Sequence, residues 1–236
     1  MKKIWELSGI TVEAAFHYNF LESQCREYEC TKKPLIFIEV TQTDIDFERI
    51  SSIDGIKYPD EYLESLAFYR KFATAALNYK VLLMHGSAIS YHGKAYIYTA
   101  PSGTGKSTHT RLCREVFGSE VSYINDDKPL LREKDGVWHV FGTPWDGKHH
   151  LSVNTFFPLG GICLLTRGEK NKINRIGYSQ RLAVLLGQIY RPHDMINMSK
   201  TLDLMLALGE TPFWNMQCNI SNEAAKISLG TMGEQK

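Results

Sequence analysis

Residues 96–108 read Tyr96-Ile97-Tyr98-Thr99-Ala100-Pro101-Ser102-Gly103-Thr104-Gly105-Lys106-Ser107-Thr108. An apolar strand precedes a glycine-containing loop, and a helical stretch follows from about Lys106 to Phe117, where Gly118 can end it. The stretch matches the pattern G-x-x-x-x-G-K-[ST] of a P-loop, except that Ala100 replaces the first glycine. It therefore predicts a strand, an anion-binding turn and a helix in direct succession.

The residue types in this turn suit a phosphate group. Gly103 and Gly105 allow successive backbone N–H groups to point at one anion, and the start of the helix adds partial positive charge. Lys106 supplies a point charge to the outer phosphates, and Ser107 offers a hydroxyl to Mg²⁺. Ala100 leaves this arrangement intact if its position needs no positive φ. The residues predicted to bind the nucleotide are Ser102, Gly103, Thr104, Gly105, Lys106, Ser107 and Thr108.

Two adjacent carboxylates follow the next hydrophobic strand. Asp126 and Asp127 come twenty and twenty-one residues after Lys106. Such a pair can divide the chemistry, since one carboxylate can hold Mg²⁺ while the other accepts a proton from an attacking hydroxyl. The sequence does not assign these two roles, and an Asp-Asp pair by itself is also typical of a solvated loop or a helix cap.

The rest of the chain indicates a mixed α+β architecture. The first 57 residues read as strands and loops, with 35–40 as the strongest strand, and an apolar stripe over 60–78 predicts a helix. The composition shift at Tyr58-Pro59 predicts a boundary between a β-rich N-terminal subdomain, 1–57, and a domain that carries the P-loop, 58–236. The expected fold class is therefore α+β, a mixed β-sheet core carrying the P-loop plus the small subdomain.

Further elements are expected in the second part of the chain. A hairpin about Asp135-Gly136 and a helix stopped by Gly209, with Ser199 as its N-cap, are predicted from turn and capping residues. Ser221 is expected to cap the last helix, and 85–88 is expected to join two strands. The other predicted strands are 81–84, 94–99, 121–124, 161–166, 173–176 and 213–218, and one more helix is predicted over 180–190.

Composition excludes several classes of protein. The 236 residues are 43% hydrophobic, and 27 Lys and Arg nearly cancel 26 Asp and Glu, so no global positive field attracts nucleic acid or an anionic membrane. Five scattered cysteines without a C-x-x-C pair favour reduced thiols over disulfides or a zinc site. Because no stretch is long and apolar enough to span a membrane, a cytoplasmic location is expected.

The ordered motifs resemble a known kinase family. They are 84–88 (Met-His-Gly-Ser-Ala), 100–108, 125–127 (Asn-Asp-Asp) and 142–145 (Gly-Thr-Pro-Trp). Together they resemble the C-terminal domains of HPr kinase/phosphorylase and their relatives, which include the nucleotide half of ATP-dependent phosphoenolpyruvate carboxykinase and small peptide-modifying kinases of biosynthetic clusters. The resemblance covers about residues 80–230 and is most specific over 84–127.

The resemblance implies roles for individual residues. It makes Lys106 and Ser107 ligands of phosphate and Mg²⁺, Asp126 and Asp127 the pair that supplies the base and a metal ligand, and His85 a neighbour of the transferred phosphoryl group. The first 80 residues do not resemble the N-terminal domain of the HPr enzyme, and its later glycine-rich signature has no counterpart. The chain also lacks the substrate domain of phosphoenolpyruvate carboxykinase, so a stand-alone kinase is the remaining expectation.

Three further residues are candidates, Arg167 for catalysis and Trp145 and Lys148 for the acceptor side. Arg167 follows a predicted strand, where it could stabilise charge on the moving phosphoryl group or merely be solvated. Trp145 and Lys148 belong to a loop with a glycine hinge that could contact the acceptor, although Trp145 could equally be a core residue. The adjacent His149 and His150 are poorly spaced for one metal ion.

The sequence therefore predicts an ATP- and Mg²⁺-dependent kinase. We expect transfer of the γ-phosphoryl group to a hydroxyl, with a serine of a peptide or small protein as the preferred acceptor. Two alternatives stay open: a small-molecule kinase or phosphoenolpyruvate carboxykinase-like enzyme, and a nucleotide-binding sensor or partner module without phosphotransfer. No nucleic-acid or membrane partner is expected, and homo-oligomerisation is undecided.

Overall fold

The structure is a computed structural model that describes residues 1–51 and 55–234. It divides into two compact units, one from Met1 to Tyr79 and one from Lys80 onward. The division lies after Tyr79, whereas the composition shift predicts it after residue 57, because the helix that follows the shift belongs to the N-terminal unit. No helix in the described residues is long and apolar enough to cross a membrane.

The N-terminal unit combines a small sheet with helices. Strand β1 is antiparallel to β2, and β2 is parallel to β3. The helix α3 buries aromatic side chains such as Phe68 and Phe72, and Trp5 of β1 is fully buried. The strands are β1 (Lys2–Leu7), β2 (Ile10–Ala15) and β3 (Ile36–Glu39), and the helices are α1 (Asn19–Gln24), α2 (Gln42–Ser51) and α3 (Asp60–Ala76).

The prediction of only strands and loops before residue 57 was wrong, because α1 and α2 lie there. The start of α2 carries a capping signal that the composition of the segment hides. The backbone N–H of Thr41 donates to the carboxylate of Asp44 at 2.9 Å, and the N–H of Asp44 lies 3.4 Å from the Thr41 hydroxyl. This reciprocal pairing is the capping box of a helix N-terminus.

The second unit is built on a large mixed sheet. Its strand order is β4-β8-β9-β10-β6-β5-β7, with β12 beside β10 and β11 beside β12. Strand β10 is parallel to β6 and to β12, and the other pairs are antiparallel. Its strands are β4 (Val81–Leu83), β5 (Gly86–Tyr91), β6 (Lys94–Thr99), β7 (Val121–Asp127), β8 (Leu130–Lys134), β9 (Val137–Phe141), β10 (Phe156–Arg167), β11 (Lys172–Arg175) and β12 (Phe213–Cys218).

Helices complete this unit, and the mixed α+β class predicted from the sequence is confirmed. They are α4 (Lys106–Phe117), α5 (Tyr178–Gln188), α6 (Met195–Leu208) and α7 (Asn222–Gly233). A buried cluster that includes Tyr98, Cys113, Cys163, Trp214 and Leu229 joins α4 and α7 to β6, β10 and β12. This cluster supports the end of β6 from which the next loop departs.

Two local predictions in this unit were wrong. Residues 86–88 belong to strand β5 and are not merely a connection; Gly86 is required there because a Cβ would lie 2.8 Å from Cγ2 of Ile97. Helix α6 begins at Met195 with Asp194 as its N-cap, which accepts a 2.9 Å hydrogen bond from the N–H of Asn197, so Ser199 is not the cap. The Asp135-Gly136 hairpin and the Ser221 cap are confirmed.

Candidate active site

The sheet topology brings four chain segments to one edge. Since β5 is antiparallel to both β6 and β7, the carboxyl ends of β6 and β7 lie at the edge where β5 begins. Strand β10, parallel to β6, ends at the same edge and carries Arg167 there. The loop after Thr99, the pair Asp126 and Asp127, and the start of β5 therefore meet, although they are far apart in sequence.

The loop of residues 100–105, called the 100–105 loop below, has the backbone conformation that its glycines predict. Gly103 has φ 75° and Gly105 has φ 120°, and a Cβ at either position would meet open space, so the positive φ rather than crowding requires glycine. Ala100 is fully buried and is not among the residues with positive φ, which explains why alanine is accepted there. The ammonium of Lys106 donates to the Ala100 carbonyl at 3.1 Å.

Two sequence-predicted nucleotide ligands lie at the rim of this loop and two begin the helix. Ser102 is exposed, and the N–H of Thr104 closes a turn onto the Pro101 carbonyl at 3.3 Å. Ser107 and Thr108 are partly buried in the first turn of α4. Burial lowers the pKa of Lys106, while the charges of Asp127 and Asp126 oppose that effect.

Asp126 is a buried carboxylate held by hydroxyl groups. It is 6% exposed, and the Ser87 hydroxyl donates to it at 2.6 Å. Ser107, at the start of α4, is near enough to this carboxylate to favour its charged form. Burial raises the pKa of Asp126 above its ordinary value, although both hydroxyls favour the charged form. This arrangement is suited to a fixed oxygen ligand.

Asp127 has different neighbours. Lys128 forms an ion pair with one carboxylate oxygen, and Nε2 of His85 lies 3.5 Å from the other. Burial, with the charge of Lys106 as the next cause, lowers the pKa of His85 from its ordinary value, which favours the neutral imidazole. Asp127 is less buried than Asp126, and it is the carboxylate that His85 contacts.

Asn125 is a site residue to which the sequence motifs assigned no role. Its fully buried side-chain amide donates to the carbonyl and the hydroxyl of Thr143, each at 3.0 Å, and to the Trp145 carbonyl at 3.3 Å. Its oxygen accepts from the N–H groups of Asp127 and Lys128 at 3.0 and 2.7 Å. Asn125 thus fixes the backbone at Asp127 and Lys128, next to the two carboxylates. An amide at the end of an apolar strand was the available signal.

Arg167 and Trp145 lie in positions that differ from those expected of a catalytic arginine and of an acceptor-side tryptophan. The Arg167 guanidinium donates to the carbonyls of Gly103 and Thr104, the latter at 3.3 Å, so it braces the 100–105 loop. Trp145 is 4% exposed, which favours the core role over contact with an acceptor. Lys148 is exposed in the turn Gly147–His149, and a Cβ on Gly147 would lie 3.3 Å from Cβ of Asp127.

Comparison with known proteins leaves the family of the chain open. No family model matches the sequence. No curated protein matches it. A solved HPr(Ser) kinase/phosphatase from Coxiella burnetii is similar to it at 11% identity and a TM-score of 0.36, over 64% of this chain and 93% of that one. Similarity at this level carries no argument for activity.

Proposed function

We propose that this chain is an ATP- and Mg²⁺-dependent kinase that transfers the γ-phosphoryl group to a hydroxyl, with a serine of a peptide or small protein as acceptor. One observation carries the proposal: the sheet brings the 100–105 loop and the start of α4 to the same edge as Asp126 and Asp127, with Ser107 near enough to Asp126 to lower the pKa of that carboxyl. A loop that can bind phosphate, a lysine and two carboxylates at one sheet edge are the groups that phosphoryl transfer requires.

The donor side is formed by the 100–105 loop and α4. Backbone N–H groups around Gly103 and Gly105, together with the positive end of α4, suit the phosphates of ATP, and Lys106 supplies a cation next to them. The Arg167 bonds to the carbonyls of Gly103 and Thr104 engage two acceptors of the loop. The loop therefore offers donors to the phosphates.

The residues fit Mg²⁺. The metal prefers hard oxygen ligands and, in phosphoryl-transfer sites, takes one or two carboxylates while substrate phosphates and water complete its shell. Ser107 and Asp126 present a hydroxyl and a carboxylate side by side. Within 1–51 and 55–234 no group of three or more His, Cys, Asp or Glu could hold a metal. When bound, Mg²⁺ would neutralise charge on the phosphates.

Asp127 is the proposed base. As the acceptor oxygen forms its bond to the γ-phosphorus, the bond to the ADP oxygen breaks and the hydroxyl proton passes to the Asp127 carboxylate. The neutral imidazole of His85, 3.5 Å away, helps to orient that carboxylate. Asp126, buried and hydrogen-bonded to Ser87, has less access to an incoming hydroxyl.

The acceptor side is proposed to lie over Asp127, next to the Gly147–His149 turn. Gly147 allows that turn to approach Asp127 closely, and Lys148 is exposed on it. We keep Lys148 as an acceptor contact and assign Trp145 to the core. An exposed lysine beside the base suits a peptide whose serine is flanked by acidic groups.

The test is transfer of label from γ-labelled ATP to a library of serine-containing peptides in the presence of Mg²⁺. We expect labelled peptide with the wild type and none with Lys106→Ala. Lys94→Ala, at the exposed opposite end of β6, is the control and should retain activity. ATP binding without labelling of any peptide or small hydroxyl compound would favour a nucleotide sensor, and labelling of small compounds alone would favour a small-molecule kinase.

A further inference from the structure

A cavity of about 480 Å³ lies on the side of the 100–105 loop away from the carboxylates. Its walls come from the loop itself, from α4 and from the ends of β10 and β12. The lining includes Leu112, Leu165, Arg167, Cys218 and Ile220. This volume is within the roughly 300–1,000 Å³ typical of small-molecule pockets. Because the loop forms one wall, a ligand whose phosphates occupy the loop would place its remaining part here.

The side walls of this cavity are apolar. Leu112 is 7% exposed and Leu165 is 2% exposed, so both present fixed hydrophobic surface. Ile220 is 80% exposed and lies at the mouth of the cavity. A ligand that covers this apolar side chain would remove it from water, which is favourable. Apolar lining of this kind suits contact with a flat aromatic ring.

Arg167 adds a cation to this surface. Its guanidinium is held by the carbonyls of Gly103 and Thr104 and also lines the cavity. A guanidinium whose N–H groups are already bonded within its plane retains its flat face, and that face stacks well on aromatic rings. Arg167 therefore both braces the loop and offers a stacking surface.

Three polar side chains of the lining, Thr166, Asn219 and His109, are engaged elsewhere. The Thr166 hydroxyl donates to the Met216 carbonyl at 3.3 Å, and the amide of Asn219 donates to the Glu169 carbonyl at 2.9 Å. The Asn219 oxygen accepts from Ser221 at 2.6 Å, and Nε2 of His109 lies 2.9 Å from the Ser228 hydroxyl. These groups are poorly placed to distinguish the edge of one base from that of another.

We infer that this cavity is the nucleobase pocket of the proposed kinase, and that it binds purine rings by stacking and apolar contact without reading their edges. The inference rests on the proposed function, since the phosphates of the same nucleotide must occupy the 100–105 loop. The inference predicts that ATP and GTP bind with similar affinity and both serve as phosphoryl donors. We expect their dissociation constants to differ by less than about tenfold, the equivalent of 1.4 kcal/mol.

The test compares three probes, Mg-ATP, Mg-GTP and Mg-tripolyphosphate, by calorimetric titration. Cys218→Phe fills the cavity, while Gln217→Phe adds the same ring to the exposed opposite face of β12 and is the matched control. We expect Cys218→Phe to raise the dissociation constants of Mg-ATP and Mg-GTP by about tenfold or more. The dissociation constant of Mg-tripolyphosphate should change little. Gln217→Phe should alter none of the three.

Several outcomes would overturn the inference. If Cys218→Phe leaves the affinity ratio of ATP to tripolyphosphate unchanged, the base lies elsewhere, although the loop still binds phosphate. A difference between ATP and GTP in dissociation constant above about tenfold, in either direction, would refute the claim that base edges are not read. Failure of all three probes to bind the wild type would remove the proposed function as well. If Cys218→Phe does not fold, Ile220→Ala at the exposed mouth takes its place. This variant should weaken the binding of both nucleotides severalfold relative to the binding of tripolyphosphate.

Discussion

The hydroxyl of Ser87 donates a 2.6 Å hydrogen bond to the carboxylate of Asp126, and the two residues lie directly opposite each other in the antiparallel pair of β5 and β7. The same hydroxyl lies 2.9 Å from that of Thr110 on α4. Ser87 and Thr110 are both buried. One small side chain thus connects a carboxylate of the candidate site to the helix that follows the 100–105 loop.

Removal of this hydroxyl should destabilise the fold. Ser87→Ala leaves the buried Asp126 carboxylate with one partner fewer, and a buried polar group that loses its partner costs about 1–3 kcal/mol. The measurement is the free energy of unfolding in urea. Ser90→Ala is the control on the same strand, because its bond to the Ser122 carbonyl is long, at 3.4 Å. Equal losses in the two variants would contradict the role assigned to Ser87.

The two carboxylates should respond differently to neutralisation. Asp127→Asn should lower kcat by about 100-fold or more, because the proposed base is lost, while Mg-ATP affinity is nearly unchanged. Asp126→Asn should weaken Mg²⁺-dependent ATP binding, since its carboxylate adjoins Ser107. Steady-state kinetics and calorimetry measure both effects. Asp135→Asn, in the hairpin turn, is the control. Full turnover in Asp127→Asn would place the base elsewhere.

Trp145 and Lys148 should separate stability from acceptor binding. Trp145→Ala removes a large buried side chain, so a loss of roughly 3–5 kcal/mol in the free energy of unfolding is expected. Lys148→Ala removes an exposed cation and should leave the melting temperature unchanged while raising the KM of the acceptor. A folded Lys148→Ala protein with wild-type acceptor kinetics would exclude this charge from the acceptor site.

Acid should weaken the fold through His109. Burial lowers the pKa of His109 to about 4, so the folded protein keeps the ring neutral while the unfolded chain protonates it near pH 6.5. Between these values the unfolded state binds more protons, and stability falls as the pH falls. We expect His109 to contribute a loss of about 2 kcal/mol between pH 7 and pH 5.

His109→Gln provides the comparison for this pH effect. Glutamine does not titrate and can still bond to the Ser228 hydroxyl, which lies 2.9 Å from Nε2 of His109. The unfolding free energy of the variant, measured in urea at both pH values, should therefore fall less steeply than that of the wild type. Parallel pH dependences in the two proteins would show that another group is responsible.

Local signals made much of the fold predictable. The glycines and the lysine of 103–106 predicted where the loop ends and α4 begins, and turn residues predicted the hairpin at Asp135-Gly136. The start of α2 was missed because its capping box lies among polar residues that read as loop. The start of strand β5 was missed because Gly86 has no side chain that could signal a strand. The reason for glycine there is the close packing of Ile97, which is visible only in the structure.

The sequence by itself determined which chemical groups the chain carries and in which local conformations: a glycine-containing turn, a lysine at a helix start, and two carboxylates at the end of a strand. Only the tertiary structure decided that Ser87 meets Asp126, that Asn125 supports both carboxylates, that Arg167 braces the 100–105 loop and that Trp145 is buried. The reason is physical. Backbone conformation depends on near neighbours, whereas strand order and register depend on the burial of side chains that are distant in sequence.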